Sequence, residues 1–255
     1  MTAPALGLLV IAKAPEPGRV KTRLCPPLVP AEAADLAAAA LLDTLDAVCA
    51  VPGGVVVVAL VGRMSAAARG PELSVALRGG VTRGQQGPDL GHRIAAAHRD
   101  AAGLLPGRPV LQLGMDTPQV DPALLDDAAG PLHRGTVDAV LGPATDGGWW
   151  ALGLRDPRAA AAIADVPTSR GDTGERTVHA LRAAGLRVGL LPELTDVDTA
   201  ADAVAVAWTA PGTRFARAVS ALPALASSAC RNDAFARQSV PTRGLVAALD
   251  GLRGC

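Results

Sequence analysis

The sequence predicts an α/β protein with a doubly wound, largely parallel sheet. Residues 6–12 form an apolar run with the length and branching of a buried strand. Residues 30–50 are rich in Ala and Leu, with apolar side chains at helical spacing, and residues 55–61 form a second continuous apolar run. A strand, a helix and a strand in succession indicate a sheet across which helices return.

Basic residues crowd the loop that follows the first predicted strand. Pro15, Pro17 and Gly18 end the strand in a tight loop. Of the 24 basic residues in the chain, only Lys13 and Lys21 are lysines, and both lie here. A lysine ammonium is a mobile point charge that suits a phosphate, so a strand end carrying several cations is typical of a polyphosphate site. The alternative is a solvated basic loop. The cations of the loop and its exit are Lys13, Arg19, Lys21 and Arg23.

Three further segments complete the first half of the chain. Residues 73–77 are a weaker strand candidate. Polar residues then lead into a helix that runs to about residue 102, and Asp89 near its start suits an N-cap. His92 and His98 are six positions apart, which does not place a zinc-binding pair on one helix face.

A carboxylate follows the next predicted strand, residues 110–114. Open α/β sheets bind ligands just past the carboxyl ends of their strands, where Asp116 lies. Asp121, followed by Pro122 at the first helical position, is the better cap for the next helix. Asp116 is therefore free to hold Mg²⁺ against a phosphate.

Two glycines follow Asp146, which comes shortly after a predicted strand at residues 137–141. Gly147 and Gly148 would let the backbone approach a ligand closely. An Asp-Gly hairpin turn is the alternative, and both interpretations can hold together. Residues 151–154 are expected to continue as a strand.

Two more carboxylates occupy alternate positions near the end of the α/β pattern. Residues 172–184 are predicted as a helix and residues 187–191 as a short strand. Asp196 and Asp198 would point the same way in an extended segment, and either could complete a metal site with Asp116. Alternatively, Asp198 or the residue after it only caps a helix that runs to about residue 208.

The pattern weakens beyond residue 210. Residues 215–222 are amphipathic and residues 245–252 are predicted as a final helix. We expect residues 211–255 to be an appendage, helical or partly disordered, that packs on the domain or mediates dimerisation.

Composition excludes several classes of function. The chain has 24 basic and 24 acidic residues and 2% aromatic residues, which argues against nucleic-acid binding. The chain contains no run of 18 apolar residues, so no membrane span is predicted. Four scattered cysteines and the lack of a cationic leader predict a cytoplasmic protein.

Five segments follow one another along the chain: AKAPEPGRVKTRL, QQGPDLGHR, GMDTP, GPATDGGWWALGL and TDVDT. As an ordered set they resemble the bacterial DUF2064 proteins of the nucleotide-diphospho-sugar transferase (GT-A) superfamily. The chain is also similar to the phospholactate and phosphoenolpyruvate guanylyltransferases of coenzyme F420 synthesis and, more distantly, to the molybdenum cofactor guanylyltransferases. The match covers about residues 6–208.

The resemblance implies a Rossmann-like GT-A nucleotidyltransferase fold, with a mixed, mostly parallel sheet flanked by helices, over residues 1–210. It implies an enzyme that uses Mg²⁺ or Mn²⁺ to transfer a nucleotidyl group from a nucleoside triphosphate to a small anionic acceptor, releasing pyrophosphate. The alternatives are a glycosyltransferase that uses a nucleotide sugar and a non-catalytic nucleotide-binding protein. A homodimer is the assembly to test.

The resemblance also assigns roles to individual residues. A KAPEPG segment replaces the glycine-rich signature of sugar nucleotidyltransferases, and a single Asp replaces the Asp-x-Asp of many glycosyltransferases. The residues implied in catalysis are Lys13, Lys21, Arg23 and Asp146. Those implied in nucleotide and acceptor binding are Gly18, Gln86, Asp89, Leu90, Gly147 and Gly148. Those implied as metal ligands are Asp116 and Asp198.

Overall fold

The computed structural model describes residues 6–225, which form a seven-stranded sheet with helices on both faces. The strands are β1 Gly7–Lys13, β2 Val55–Val61, β3 Val81–Gly84, β4 Val110–Leu113, β5 Ala139–Pro143, β6 Trp149–Leu154 and β7 Val188–Leu190. The helices are α1 Pro30–Cys49, α2 Gly70–Ala76, α3 Leu90–Leu104, α4 Pro122–His133, α5 Thr173–Ala183, α6 Ala200–Thr209 and α7 Arg214–Ser220. The predicted fold class, a mixed and mostly parallel α/β sheet, is confirmed.

The strand order places a reversal of direction beside the central strand. It is β3-β2-β1-β4-β6-β5-β7, and β6 is antiparallel to both of its neighbours while every other pairing is parallel. The chain first builds outward from β1 through β2 to β3, then returns to place β4 on the other side of β1. Such a switch point opens a crevice at the carboxyl ends of the two strands.

Alternate side chains of β1 enter two different cores. Leu8 and Val10 belong to the core under α1 and α4, whereas Leu9 belongs to the core under α3. Because successive side chains of a strand point to opposite faces, a strand covered on both sides needs an unbroken apolar run. This explains the continuous hydrophobicity of the first two predicted strands.

Helix α1 is apolar around most of its circumference because it lies between two layers. Leu41 packs in the sheet core, while Leu36 packs against Phe215 of α7 in a second core. Asp43, a buried carboxylate on α1, accepts hydrogen bonds from the backbone N–H groups of Arg214 at 3.0 Å and Phe215 at 2.8 Å. The start of α7 is therefore fixed to α1.

Most of the predicted elements are confirmed to within two residues at each end. These are the strands predicted at 6–12, 55–61, 110–114, 137–141, 151–154 and 187–191, and the helices predicted at 30–50 and 172–184. The N-caps of α3, α4 and α6 are Asp89, Asp121 and Thr199, respectively. Because Thr199 caps α6, the side chain of Asp198 is not needed as a cap.

The strand predicted at residues 73–77 is wrong. The segment lies in α2 and the turn after it. A proline occupies the first turn of α2, where a backbone N–H has no acceptor within the helix, so the missing N–H of proline costs no hydrogen bond. Leu73 is apolar because it faces the core, at 0% exposure. The edge strand is β3 instead, and its mostly exposed side chains leave no apolar run to mark it in the sequence.

The predicted boundary after residue 210 stays a prediction. The amphipathic piece predicted at 215–222 corresponds to α7, which packs in the second core. The helix predicted at 245–252 lies outside the described residues. Within residues 6–225, no helix has the length and apolar character to cross a membrane.

Candidate functional site

The carboxyl ends of β1, β4, β5 and β7 meet at one edge of the sheet, and a cavity of about 710 Å³ opens there. A smaller cavity of about 280 Å³ adjoins it on the side of the basic loop and shares Lys13, Arg23, Asp116 and Asp198 with it. The predicted site residues that line the larger cavity are Lys13, Arg23, Leu90, Asp116, Asp146, Gly148 and Asp198. Lys21 lines only the smaller one.

Lys21 lies between two carboxylates that come from different loops. Its Nζ is 2.9 Å from Oδ2 of Asp116 and 3.4 Å from Oδ1 of Asp198, and it also donates to the carbonyl of Val197. The side chain is only 9% exposed. Burial opposes its ionisation, but the attraction of the two carboxylates outweighs burial and raises the pKa of Lys21 above its usual value. Lys21 therefore remains an ammonium at neutral pH.

The remaining cations tie the basic loop to its surroundings. Nη1 of Arg23 is 2.9 Å from Oδ2 of Asp198. The Nζ of Lys13 donates to the carbonyl of Arg19 at 2.6 Å, which closes the loop on itself. Gly18 has a left-handed φ of 74° with open space where a Cβ would lie, so this glycine serves the turn.

The three closest carboxylates of the site belong to Asp146, Asp196 and Asp198. One oxygen from each lies within 4.8 Å of the other two. Burial and then the negative charges of Asp146 and Asp198 raise the pKa of Asp196 to about 6. A dense group of carboxylate oxygens suits a hard divalent cation such as Mg²⁺, so the residues present fit the predicted metal.

Asp116 does not belong to that group of three. Its Oδ2 is paired with Lys21, while its buried Oδ1 has no hydrogen-bond partner among the described residues. The structure thus places the Lys21 ammonium between the two predicted metal ligands, Asp116 and Asp198. It brings Asp146 and Asp196 close to Asp198.

The Asp146 loop is both a hairpin turn and a wall of the cavity. Oδ1 of Asp146 accepts from the backbone N–H of Gly148 at 2.7 Å, between the antiparallel strands β5 and β6. Gly147 has a left-handed φ of 85°, and a Cβ there would lie 2.0 Å from the carbonyl oxygen of Gly171. The carbonyl of Gly147 accepts from the N–H of Gly174 at 2.8 Å, which fastens this hairpin to the first turn of α5.

Of the three residues predicted to bind the nucleoside, one lines the cavity and two do not. Leu90 lines the cavity, but Gln86 and Asp89 are not among its lining residues. Asp89 instead caps α3 by accepting from the backbone N–H of His92 at 3.0 Å. The neighbour of Gln86, Gln85, does line the cavity.

Gln85 and Gln112 are cavity residues that were not singled out in the sequence. Gln85 donates to the backbone carbonyls of Ala12 and Ala59, at 2.8 Å and 2.9 Å. Gln112 is 2% exposed in the middle of β4, and it lines the same cavity. A polar side chain inside the apolar strand Val110–Leu113 is the signal that marks it in the sequence.

Comparisons with known proteins place this fold among transferases. A family model described as an uncharacterized protein conserved in bacteria (DUF2064) matches residues 44–170. The crystal structure of a proposed nucleotide-diphospho-sugar transferase from Desulfovibrio desulfuricans is 30% identical, with a TM-score of 0.71 over 91% of this chain and 97% of that chain.

More distant structures resemble the fold alone. A cytidylyltransferase from Leptospira borgpetersenii is 14% identical, with a TM-score of 0.46 over 75% of this chain and 76% of that chain. A nucleotidyl transferase from a Methanothermobacter species is 17% identical, with a TM-score of 0.49 over 79% of this chain and 95% of that chain. No protein of curated function matches the sequence.

Proposed function

Because this chain belongs to the DUF2064 family, we propose that it is a metal-dependent nucleotidyltransferase acting on a nucleoside triphosphate and a small anionic acceptor. The observation that carries the proposal is the contact between Lys21, Asp116 and Asp198. It joins the loop after β1, the loop after β4 and the segment after β7 at the switch point of the sheet. Charges of both signs at that edge suit a nucleotide bound with a divalent cation.

The cations of the basic loop would hold the phosphates. Lys21 and Arg23 already face the cavities, and a polyphosphate offers them the same charge that Asp198 now supplies. Within residues 6–225 the ammonium of Lys13 bonds only to a backbone carbonyl, so it can turn toward charge that develops at the α-phosphorus. Transfer of a nucleotidyl group requires mainly such positioning and charge neutralisation from the protein.

The carboxylates would hold the metal and orient the acceptor. Asp146, Asp196 and Asp198 are the residues that would bind Mg²⁺ or Mn²⁺. When bound, the ion neutralises charge on the phosphate oxygens. Asp146 also belongs to the hairpin that walls the cavity, so the acceptor would lie in the cavity against this hairpin.

In the reaction, an oxygen of the acceptor's phosphate or carboxylate attacks the α-phosphorus. The bond from the α-phosphorus to the oxygen that bridges it to the β-phosphorus breaks. Pyrophosphate leaves with that bonding electron pair. The product is a nucleotide joined to the acceptor through a phosphate.

Glycosyl transfer is the second candidate function. It is favoured by the description of the Desulfovibrio protein as a proposed nucleotide-diphospho-sugar transferase. In that reaction the acceptor would attack the sugar carbon, and a nucleoside diphosphate would leave.

The released product distinguishes the two functions. Purified protein is incubated with Mg²⁺, each nucleoside triphosphate or nucleotide sugar, and a panel of small phosphorylated and carboxylated acceptors. We expect pyrophosphate to form with one triphosphate, and Asp198→Asn to abolish its formation. Release of a nucleoside diphosphate from a nucleotide sugar, without pyrophosphate from any triphosphate, would instead establish glycosyl transfer.

A further inference from the structure

On the side of helix α3, the larger cavity is walled by apolar side chains and carries two glutamine amides. Ile11, Leu90 and Trp149 are among its apolar lining residues, and Gln85 and Gln112 supply the amides. Apolar walls with a few fixed polar groups are typical of a pocket for a flat heteroaromatic ring.

The amide of Gln85 presents only an acceptor. Its Nε2 donates to the carbonyls of Ala12 and Ala59, which uses both of its hydrogens. Its Oε1 makes no hydrogen bond among the described residues. The two backbone carbonyls therefore fix which end of this amide is free.

The amide of Gln112 presents only a donor. Its Oε1 is 2.9 Å from Nε2 of His98, and its own Nε2 has no partner among the described residues. Gln112 is 2% exposed and lines the cavity from within an apolar strand. Nε2 is not one of the fully buried polar atoms that lack a partner, so the small exposed part of Gln112 includes this NH₂ group, and an acceptor on a ligand in the cavity can bond to it.

His98 determines which end of the Gln112 amide faces the cavity. It is 0% exposed, and Gln112 is its hydrogen-bond partner, since Nδ1 has none among the described residues. Burial lowers the pKa of His98 to about 4, so the ring is neutral at pH 7. With its proton on Nε2, His98 donates to the oxygen of Gln112 and leaves the NH₂ group turned toward the cavity.

We propose that Gln112 is a specificity-determining residue for the nucleobase and that His98 is its positioning residue. This inference rests on the proposed function. The NH₂ group of Gln112 donates to an exocyclic carbonyl oxygen of the base. Guanine, cytosine and uracil carry such an oxygen, whereas adenine has none, so a donor fixed at that place would meet either a ring nitrogen of adenine or its amino group, which would set one donor against another. The substrate is thus a nucleotide with a carbonyl-bearing base.

The test is calorimetric titration with Mg²⁺ and each of ATP, GTP, CTP and UTP, with inorganic tripolyphosphate as a probe for the phosphate side alone. In the wild type we expect ATP to bind about tenfold more weakly than the best of the other three nucleotides, which is the upper range for one hydrogen bond. In His98→Leu and Gln112→Leu the gap should fall to about threefold or less, while tripolyphosphate binds as in the wild type. Gln112→Glu, which turns the donor into an acceptor, should move the preference toward ATP.

His133→Leu is the matched control, because His133 lies on α4 at the opposite face of the sheet and should leave the preference intact. Gln112→Leu lies between Leu111 and Leu113 and is expected to fold even where His98→Leu does not. If ATP binds the wild type as tightly as the best nucleotide, or if Gln112→Leu keeps the preference, the inference is overturned while the proposed function stands. If neither tripolyphosphate nor any of the four nucleotides binds, the proposed function falls and the inference falls with it.

Discussion

A single ammonium group, that of Lys21, keeps two carboxylates together that would otherwise repel each other. Its side chain is 9% exposed, whereas those of Asp116 and Asp198 are 36% and 31% exposed. In the ligand-free protein Lys21 therefore neutralises part of the charge that a divalent ion and a polyphosphate would neutralise in the complex. Binding has to exchange one set of partners for the other.

Replacing Lys21 by Met should destabilise the ligand-free protein and strengthen its response to Mg²⁺. Removing one partner of a buried ion pair costs about 3–5 kcal/mol, and because the two carboxylates are partly solvated we expect about 1–2 kcal/mol here. Urea unfolding with and without Mg²⁺ measures both effects. Lys13→Met, the same change at the chain's other lysine, should change stability little. An unaltered free energy of unfolding in Lys21→Met would contradict the role assigned to this ion pair.

His98 gives the protein a stability that depends on pH in the weakly acidic range. Its pKa is about 4 in the folded protein, because of burial, against about 6.5 in the unfolded chain. Since the unfolded chain binds the proton more readily, stability is full above about pH 6.5 and falls as the pH drops toward 4, by an upper limit of about 3 kcal/mol.

The dependence can be separated from that of the carboxylates. The pKa of Asp138 is lowered to about 2 by hydrogen bonds from Arg187, so its contribution is lost only below about pH 4. Asp196, whose raised pKa is about 6, makes stability grow as the pH falls through that range, but it is present in both proteins that are compared. Urea unfolding between pH 8 and pH 5 should therefore show the stability of the wild type falling relative to that of His98→Leu. Equal slopes in the two proteins would exclude His98 as the source.

At the scale of elements, the β5–β6 hairpin and residues 171–174, at the start of α5, form one wall because Gly147, Gly171 and Gly174 let them touch. Gly147→Ala would place a methyl group 2.0 Å from the carbonyl oxygen of Gly171 at a left-handed φ of 85°. We expect a loss of about 2–4 kcal/mol, from both the clash and the backbone strain, together with a loss of transfer activity.

Gly185→Ala is the matched control for this wall. Gly185 has a similar φ of 83°, but nothing lies within 4 Å of the position of its Cβ, so only the conformational strain remains. That strain is about 1–2 kcal/mol. The melting temperature of Gly147→Ala should therefore be lower than that of Gly185→Ala. Equal melting temperatures would show that the hairpin is not in firm contact with Gly171.

For the whole molecule, the features set by sequence order were predictable, while those set by contacts between distant elements were not. The first two apolar runs and the carboxylate of Asp116 follow from strand pattern and strand ends alone, and the structure has them at the expected edge. The orientation of the Gln112 amide depends on His98 of another element, and no local pattern records it. Edge strand β3 was missed because an exposed strand carries no apolar run.

The carboxylates of the site were likewise only partly predictable. Alternation made Asp196 and Asp198 candidates, but their closeness to Asp146 depends on how the β5–β6 hairpin lies against the segment after β7. The pairing of Lys21 with both Asp116 and Asp198 likewise joins residues about 100 and 180 positions apart, which only the sheet order brings together.

The central claim is that this edge of the sheet binds a nucleoside triphosphate together with a divalent ion, and its most direct test is calorimetric titration of the wild type and Asp198→Asn. We expect one nucleotide to bind the wild type only when Mg²⁺ is present, and Asp198→Asn to weaken that binding at least about tenfold, as expected for a lost charge-assisted contact. Asp121→Asn, which removes a charge but keeps the cap of α4, should bind as the wild type does. Equal affinities in Asp198→Asn and the wild type, or binding indifferent to Mg²⁺, would contradict the claim.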